Sequence, residues 1–184
     1  MKNVLITSKL GFFRIAVNDE RAPLTSANFL RYVEAGIYNC GSFYRTVRQD
    51  NQLSGPYIDV VQGGLGLEVF DESYQPPFKP IPHESTNETG ILHLDGTISM
   101  ARMSVGTAAS EFFICVGRQP ELDWAGRRNP DGLGFAAFGK IVEGMDLIRR
   151  MHSSPTNTSA LEGWPSLQGQ LLVCPVLIES AVVV

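Results

Sequence analysis

The chain has 184 residues, 43% of them hydrophobic and 18% charged, which excludes intrinsic disorder and collagen-like repeats and suits one ordinary domain over 1–184 with a core of its own. A formal net charge of −4, with no face of clustered Lys and Arg, argues against nucleic acid as a partner. No apolar run approaches the roughly 20 residues that would span a bilayer, and the first residues lack the basic, apolar and small-residue order of a signal peptide, so the expectation is a cytoplasmic protein, or a periplasmic one if a signal peptide has been removed.

In chain order, Val4-Leu5-Ile6 is an apolar run, and Phe13, Ile15 and Val17 alternate with Arg14 and Ala16 at the period of a half-buried strand. Lys9-Leu10-Gly11 between them reads as a hairpin turn. From Pro23 the period changes: Ser26, Phe29, Leu30, Val33 and Ile37 follow helical spacing, with Pro at the start and Gly36 past the end, which predicts a helix of about 12 residues. Strand candidates follow at Ser42 to Thr46, Val60 to Gln62, Thr97 to Ala101, Phe112 to Val116, Phe135 to Val142, and Leu171 to Val183 with an interruption at Pro175. A second helix is expected from Gly144-Met145, burying Met145, Ile148 and Met151. With 18 glycines and 11 prolines marking turns, the pattern is mainly β. Eight antiparallel strands closed into a barrel and capped by two helices would leave no exposed edges; a two-sheet sandwich is the alternative. Two segments exceed tight-turn length, Val47 to Asp59 and Gly117 to Gly134.

Common catalytic signatures are absent: the chain has no GxSxG, HExxH, Walker loop, or GxGxxG after a strand. His83-Glu84 with His93 lacks a regular metal-ligand spacing and reads as surface or capping side chains. His152 is expected to meet its helix's C-terminal carbonyls, and Arg127-Arg128, beside Asp123 and Asp131, to be a solvated loop. Cys40, Cys115 and Cys174 are odd in number without CxxC spacing, which disfavours a disulfide framework or zinc site.

Three segments are more polar than core filling requires: Ser42-Phe43-Tyr44-Arg45, Val60-Val61-Gln62-Gly63-Gly64, and the pair Ser99-Met100-Ala101-Arg102 and Glu111-Phe112-Phe113-Ile114. Together they resemble the cyclophilin-type peptidyl-prolyl isomerases, whose motifs read approximately FHR…QGG, SMAN or AMAR, and QFFI. A VFGKVxEGM stretch follows in that family and is matched by Ala137-Phe138-Gly139-Lys140-Ile141-Val142-Glu143-Gly144-Met145. Five motifs agree in order from about Val4 to Ile178. The resemblance implies the capped eight-stranded barrel, a proline-accepting groove on its outer face, no cofactor or metal, and a monomer acting on proline-containing peptides and unfolded or partly folded proteins. Carried over by position, Arg45 takes the place of the catalytic arginine and Gln62 that of the groove glutamine. Ala101 and Arg102 match the pair bordering the substrate backbone, and Phe113 the aromatic floor of the proline pocket. Leu122 matches the pocket's leucine, Phe135 falls where animal members carry a histidine, and Val60 stands in place of a pocket methionine.

That task fits these residue types. An Xaa–Pro amide isomerises over roughly 18–20 kcal/mol because its C–N bond is partly double. A fixed guanidinium that donates to the imide nitrogen as it becomes pyramidal is favoured only in the twisted state. The chain also departs from the family pattern. Val47 to Asp59 holds an insertion of roughly nine residues relative to the family's spacing. Asp59 stands where many members place a pocket phenylalanine, with Ile58 as the substitute wall if the loop shifts by one. Glu111 replaces a glutamine and, being an acceptor only when ionised, is expected to pair with Arg45 or Arg102. Glu121 stands where animal members carry the tryptophan that helps bind cyclosporin, so weak cyclosporin binding is expected. The rivals are a non-enzymatic proline-peptide module, with Asp59 and Glu111 as signs of lost catalysis, and a barrel enclosing a ligand.

Overall fold

The opening alternation closes on itself as its period requires: β1 (Lys2–Ser8) and β2 (Gly11–Val17) form an antiparallel hairpin with Ser8 opposite Gly11, and φ of +129° at Gly11 is a conformation that suits glycine. The structure, a computed structural model, describes residues 1–71 and 73–184. The remaining strands are β3 (Ser42–Val47), β4 (Val60–Gly64), β5 (Thr97–Met100), β6 (Phe112–Cys115), β7 (Ala136–Glu143) and β8 (Leu171–Val183). All pair antiparallel in the order β1-β2-β7-β5-β6-β4-β3-β8, and β8 returns to β1 to close a barrel. The sandwich alternative is thereby excluded.

The helices number three among the described residues, one more than the sequence reading expects. Helix α1 (Pro23–Glu34) and helix α3 (Met145–His152) lie where the periodicity puts them. Helix α2 (Thr86–Thr89) is a single turn, too short to show an apolar period. Its signature is instead a capping box, in which the Glu88 carboxylate accepts from the Ser85 N–H at 2.7 Å, and Gly90 ends the turn in the left-handed conformation. The expected break at Pro175 takes another form. β8 runs through as one element, but its register slips: Phe43 lies opposite Val176 and Arg45 opposite Leu171.

The interior of the barrel is filled. Val4, Ile6, Phe13, Ile15, Phe43, Val61, Ile98, Met100, Phe112, Ile114 and Phe138 pack there with Phe29 of α1 and Ile148 of α3, so the centre holds side chains rather than a ligand. By the two-residue alternation of a strand, the neighbours of these residues face outward. On β4 and β6 they are buried a second time: Val60, Phe113 and Cys115 belong to a separate apolar cluster outside the barrel wall. Both faces of this part of the sheet are therefore covered, and the outer cover forms the site.

Candidate active site

A bulge decides which way the key arginine faces. Along β3, Phe43 points into the core, so strict alternation would send Arg45 inward too. The pairing shifts between Phe43 and Arg45 on both sides of the strand, with Phe43 opposite Gly63 and Arg45 opposite Gln62, which leaves Tyr44 as the extra residue. An extra residue reverses the phase of everything after it, so Arg45 and Val47 face out. The row then continues across the sheet, Gln62 opposite Phe113 and Phe113 opposite Ser99, at about 4.8 Å per strand. Register alone aligns the cation, the amide and the aromatic ring on one outer face.

Arg45 is held by neutral partners. Its Nε and Nη2 donate to Oε1 of Gln170 at 3.0 and 2.6 Å, and Nη1 donates to Oε1 of Gln62 at 2.8 Å. No carboxylate lies within salt-bridge distance among the described residues, so the guanidinium is positioned without being neutralised. Burial lowers its pKa to about 10, which still leaves it cationic at neutral pH. Gln62 passes the constraint on: its Nε2 donates to the Tyr44 hydroxyl at 2.8 Å, and that hydroxyl donates to Oε2 of Glu111 at 2.6 Å. Oε1 of Glu111 accepts from the Leu65 N–H at 2.9 Å and from the Ser110 hydroxyl at 3.2 Å. The expected pair of Glu111 with Arg45 or Arg102 does not form. The bulge turns Tyr44 outward between the two, and Glu111 reaches Arg45 only through Tyr44 and Gln62. Desolvation raises its pKa to about 7, against the lowering effect of these donors. The two glycines after Gln62 make room for the arrangement: a Cβ on Gly63 would lie 2.6 Å from the Phe43 ring, and one on Gly64 would collide with the Glu111 carboxylate.

Beside this polar row lies an apolar pocket. Val47, Ile58, Val60, Phe113, Cys115 and Leu122 form one buried cluster, with Ala101 and Phe135 against it. Phe113 meets Phe135 edge-on at 5.3 Å. All of these except Cys115, together with Arg45, Gln62 and Glu111, line one groove of about 360 Å³ on the barrel's outer face. Ile58 closes the wall next to Val60, while Asp59 turns away toward Gln49 and His152, so the insertion repairs the apolar side that Asp59 would have opened.

The other expectations separate. Arg102 lines the groove, but its charge is spent: it forks onto Asp131 at 2.8 and 2.9 Å and donates to the Gly134 carbonyl, bracing the 117–134 loop. Asp131 is held down to about pKa 2, chiefly by that pair. Glu121 is bonded to Arg127, and half-exposed Trp124 lies off the groove lining. His83 contacts the Leu133 carbonyl, and Glu84 caps helix α1 by accepting from the Leu24 and Thr25 N–H groups. His152 meets the Val47 carbonyl and Asp59 instead of its own helix's carbonyls. His93 is fully buried; its Nδ1–H donates to Asp123 and its Nε2 accepts from Ser99. These are the side chains of a hydrolytic triad, but Ser99 is fully buried too and the imidazole is stacked on Phe113, so the set braces the pocket floor and presents no nucleophile. Five contributors are missed or misplaced by the sequence reading. Gln170 anchors Arg45 directly and Tyr44 does so through Gln62. Phe70 and Trp164 stand edge-on to each other at 5.0 Å beside Tyr44 in a third cluster that borders the groove. Arg128, expected in a solvated loop, is instead bonded to Gln52 and Pro56 and lines the groove.

The barrel is one that solved structures share. A crystal structure of a cyclophilin-type peptidyl-prolyl cis-trans isomerase of Cryptosporidium parvum matches with a TM-score of 0.73 at 17% identity, over 100% of this chain and 97% of that one. A second crystal structure of that protein, in the presence of the dipeptide Ala-Pro, gives 0.72 at 18% identity. At such identities the likeness speaks for the fold alone, and sequence carries the rest. Residues 3–175 match the family model for cyclophilin type peptidyl-prolyl cis-trans isomerase/CLD. Peptidyl-prolyl cis-trans isomerase A of Dickeya dadantii is 34% identical over 99% of this chain and 84% of its own length, and peptidyl-prolyl cis-trans isomerase cyp18 of Streptomyces antibioticus is 31% identical over 98% of each. The chain belongs to the cyclophilin-type peptidyl-prolyl cis-trans isomerase family and is an isomerase of that class.

Proposed function

We propose that the groove binds proline-containing peptides and unfolded or partly folded chains, and that Arg45 speeds rotation about the Xaa–Pro bond with no covalent step. The pocket of Val60, Phe113, Leu122, Phe135 and Ile58 takes the proline ring. Arg45 and Gln62 stand at its edge in cross-strand register. With the ring fixed on one side, the preceding residue turns, and the imide nitrogen loses conjugation and gains a lone pair. A guanidinium already positioned by Gln62 and Gln170 donates to that lone pair without reorganising, and it has little to donate to in either planar state. Lowering the barrier by about 7 kcal/mol would accelerate rotation about 10⁵-fold; fixing one end of the bond and stabilising the twisted nitrogen share that requirement.

The observation that carries this reading is a groove-lining cation whose partners are all neutral amides. A salt-bridged arginine would offer a compensated charge, whereas Arg45 offers a whole one. The test is an isomerisation assay on an Ala-Pro peptide with wild type, Arg45→Ala and Arg45→Lys. Arg45→Ala is expected to lower the rate constant at least tenfold with folding unchanged, in line with the roughly 10²–10³-fold effect of removing a preorganised donor, and Arg45→Lys to recover only part. Full activity in Arg45→Ala would refute the mechanism. The same reading takes the protein as a monomer, and Glu121 bonded to Arg127, with Trp124 outside the groove lining, supports weak cyclosporin binding.

A further inference from the structure

The groove is cationic in a chain whose formal net charge is −4. Four charged side chains line it: Arg45, Arg102, Glu111 and Arg128. Arg102 is neutralised by Asp131, and Glu111 is held beside Tyr44 and Ser110. Arg45 and Arg128 remain uncompensated, close enough that Arg128 contributes to lowering the Arg45 pKa.

Arg128 is unusual in how it is held. It comes from the 117–134 loop, and its Nη1 donates to Oε1 of Gln52 and to the Pro56 carbonyl, both at 3.0 Å, in the insertion facing that loop. Gln52 in turn bonds both the N–H and the carbonyl of Ile58, the pocket wall. The guanidinium is thus tied to the apolar end of the groove. It is partly buried, which lowers its pKa. Among the described residues no carboxylate lies within salt-bridge distance of it, and its Nε and Nη2 have no hydrogen-bond partner. A partly desolvated cation with free fork donors is destabilised until an anion arrives, and a planar carboxylate matches that fork.

We propose that Arg128 is a specificity-determining residue, selecting substrates with an acidic side chain within two residues of the proline, on the stretch of chain that leaves the pocket toward the 47–59 insertion. The insertion and the second loop then have a joint role: each supplies one pocket wall, and together they hold the cation that reads the neighbouring residue. A carboxylate there would also relieve the repulsion between Arg128 and Arg45.

The test uses C-terminally amidated Ala-Pro peptides with Asp or Asn placed either before Ala or after Pro, so that only a side-chain charge varies. Exchange NMR reads kcat/KM and calorimetry reads binding, for wild type, Arg128→Gln and Arg128→Lys, with near-UV circular dichroism to check folding. At low salt the Asp peptide is expected to exceed its Asn partner about fivefold at one of the two positions, and the preference to shrink at high salt, as befits a partly exposed ion pair. Arg128→Gln should abolish that preference, read as the ratio of Asp to Asn peptide within each variant, and Arg128→Lys should keep a part. Equal handling of Asp and Asn at both positions, or a preference that survives in Arg128→Gln, overturns the proposal. A neutral peptide with a free C-terminus supplies the terminal carboxylate as the other source, and a preference confined to it also overturns the side-chain assignment. If wild type binds with the stated selectivity but does not isomerise, the failure lies with the Arg45 mechanism and not with Arg128.

Discussion

Glu111 is expected to make the activity and the stability of this protein respond to pH in opposite directions. When ionised, it can only accept. The Tyr44 hydroxyl must then donate toward it, the Tyr44 oxygen accepts from Nε2 of Gln62, and Oε1 of Gln62 is left facing Nη1 of Arg45. Protonation reverses the first link, because the Leu65 N–H occupies Oε1 and puts the new proton on Oε2, facing Tyr44. Tyr44 can then donate to Gln62, whose amide turns and presents N–H groups to the guanidinium. A hydrogen bond to a charged group is worth about 1.5–3 kcal/mol, so about a tenfold fall in kcat/KM is expected between pH 8 and pH 5.5, centred near the Glu111 pKa of about 7. Stability moves the other way. The folded pKa is raised from 4.5 to about 7 by desolvation, with nearby Glu68 adding to the rise. Between those values the folded protein therefore binds more protons than the unfolded chain. Its contribution to stability is fully present below about 4.5 and is lost as pH rises to about 7, at most roughly 3 kcal/mol. Exchange NMR on an uncharged Ala-Pro peptide avoids the pH dependence of a coupling protease, and urea unfolding at the two pH values gives the stability. Glu111→Gln should flatten both profiles, with activity held at the low-pH level, since the Leu65 N–H and the Tyr44 hydroxyl meet different oxygens of the carboxylate and an amide has an oxygen at only one of those positions. A flat wild-type profile, or a wild-type profile retained in Glu111→Gln, would refute the reasoning.

Gln170→Ala removes the acceptor shared by Nε and Nη2 of Arg45 while leaving the apolar pocket intact, so kcat should fall about tenfold with KM little changed; steady-state parameters on one peptide decide it, and a rise in KM alone would show that Gln170 holds substrate and not Arg45. Cyclosporin should inhibit only above the micromolar range, because Glu121 is bonded to Arg127 and Trp164 packs with Tyr44 rather than Leu122; sub-micromolar inhibition in the same assay would show that Trp164 takes over the role of the missing indole.

How much of this was legible in the sequence depends on which residues are considered. The strands and both long helices follow from apolar period, because one face of each must be buried against the core. The polar row follows from the motifs. The direction of Arg45 does not follow from alternation, since Phe43 and Arg45 share a phase and only the Tyr44 bulge separates them. A bulge has no apolar signature. Glu111 could be flagged as a departure but not paired, because its partners are a backbone N–H and two hydroxyls that any loop could have supplied. Gln170 and Arg128 escaped for a related reason: each meets its partner across a sequence gap bridged by loop conformation, 125 residues for Arg45 and 76 for Gln52. The nine-residue insertion was visible as length, yet its purpose depends on Gln52 reaching both Ile58 and Arg128.

The division of labour between sheet and loops follows from those facts. Hydrogen-bonded strands fix the relative positions of Arg45, Gln62 and Phe113 by register, which is the precision that stabilising a twisted bond requires. Loops cannot supply that precision, but they can vary without disturbing it. Here they supply Ile58 as a replacement wall, the Asp131 that Arg102 is spent on, and Arg128 as a second cation. Changes in the loops should therefore alter which peptides are turned over, whereas changes in the row across β3, β4 and β6 should alter whether any is.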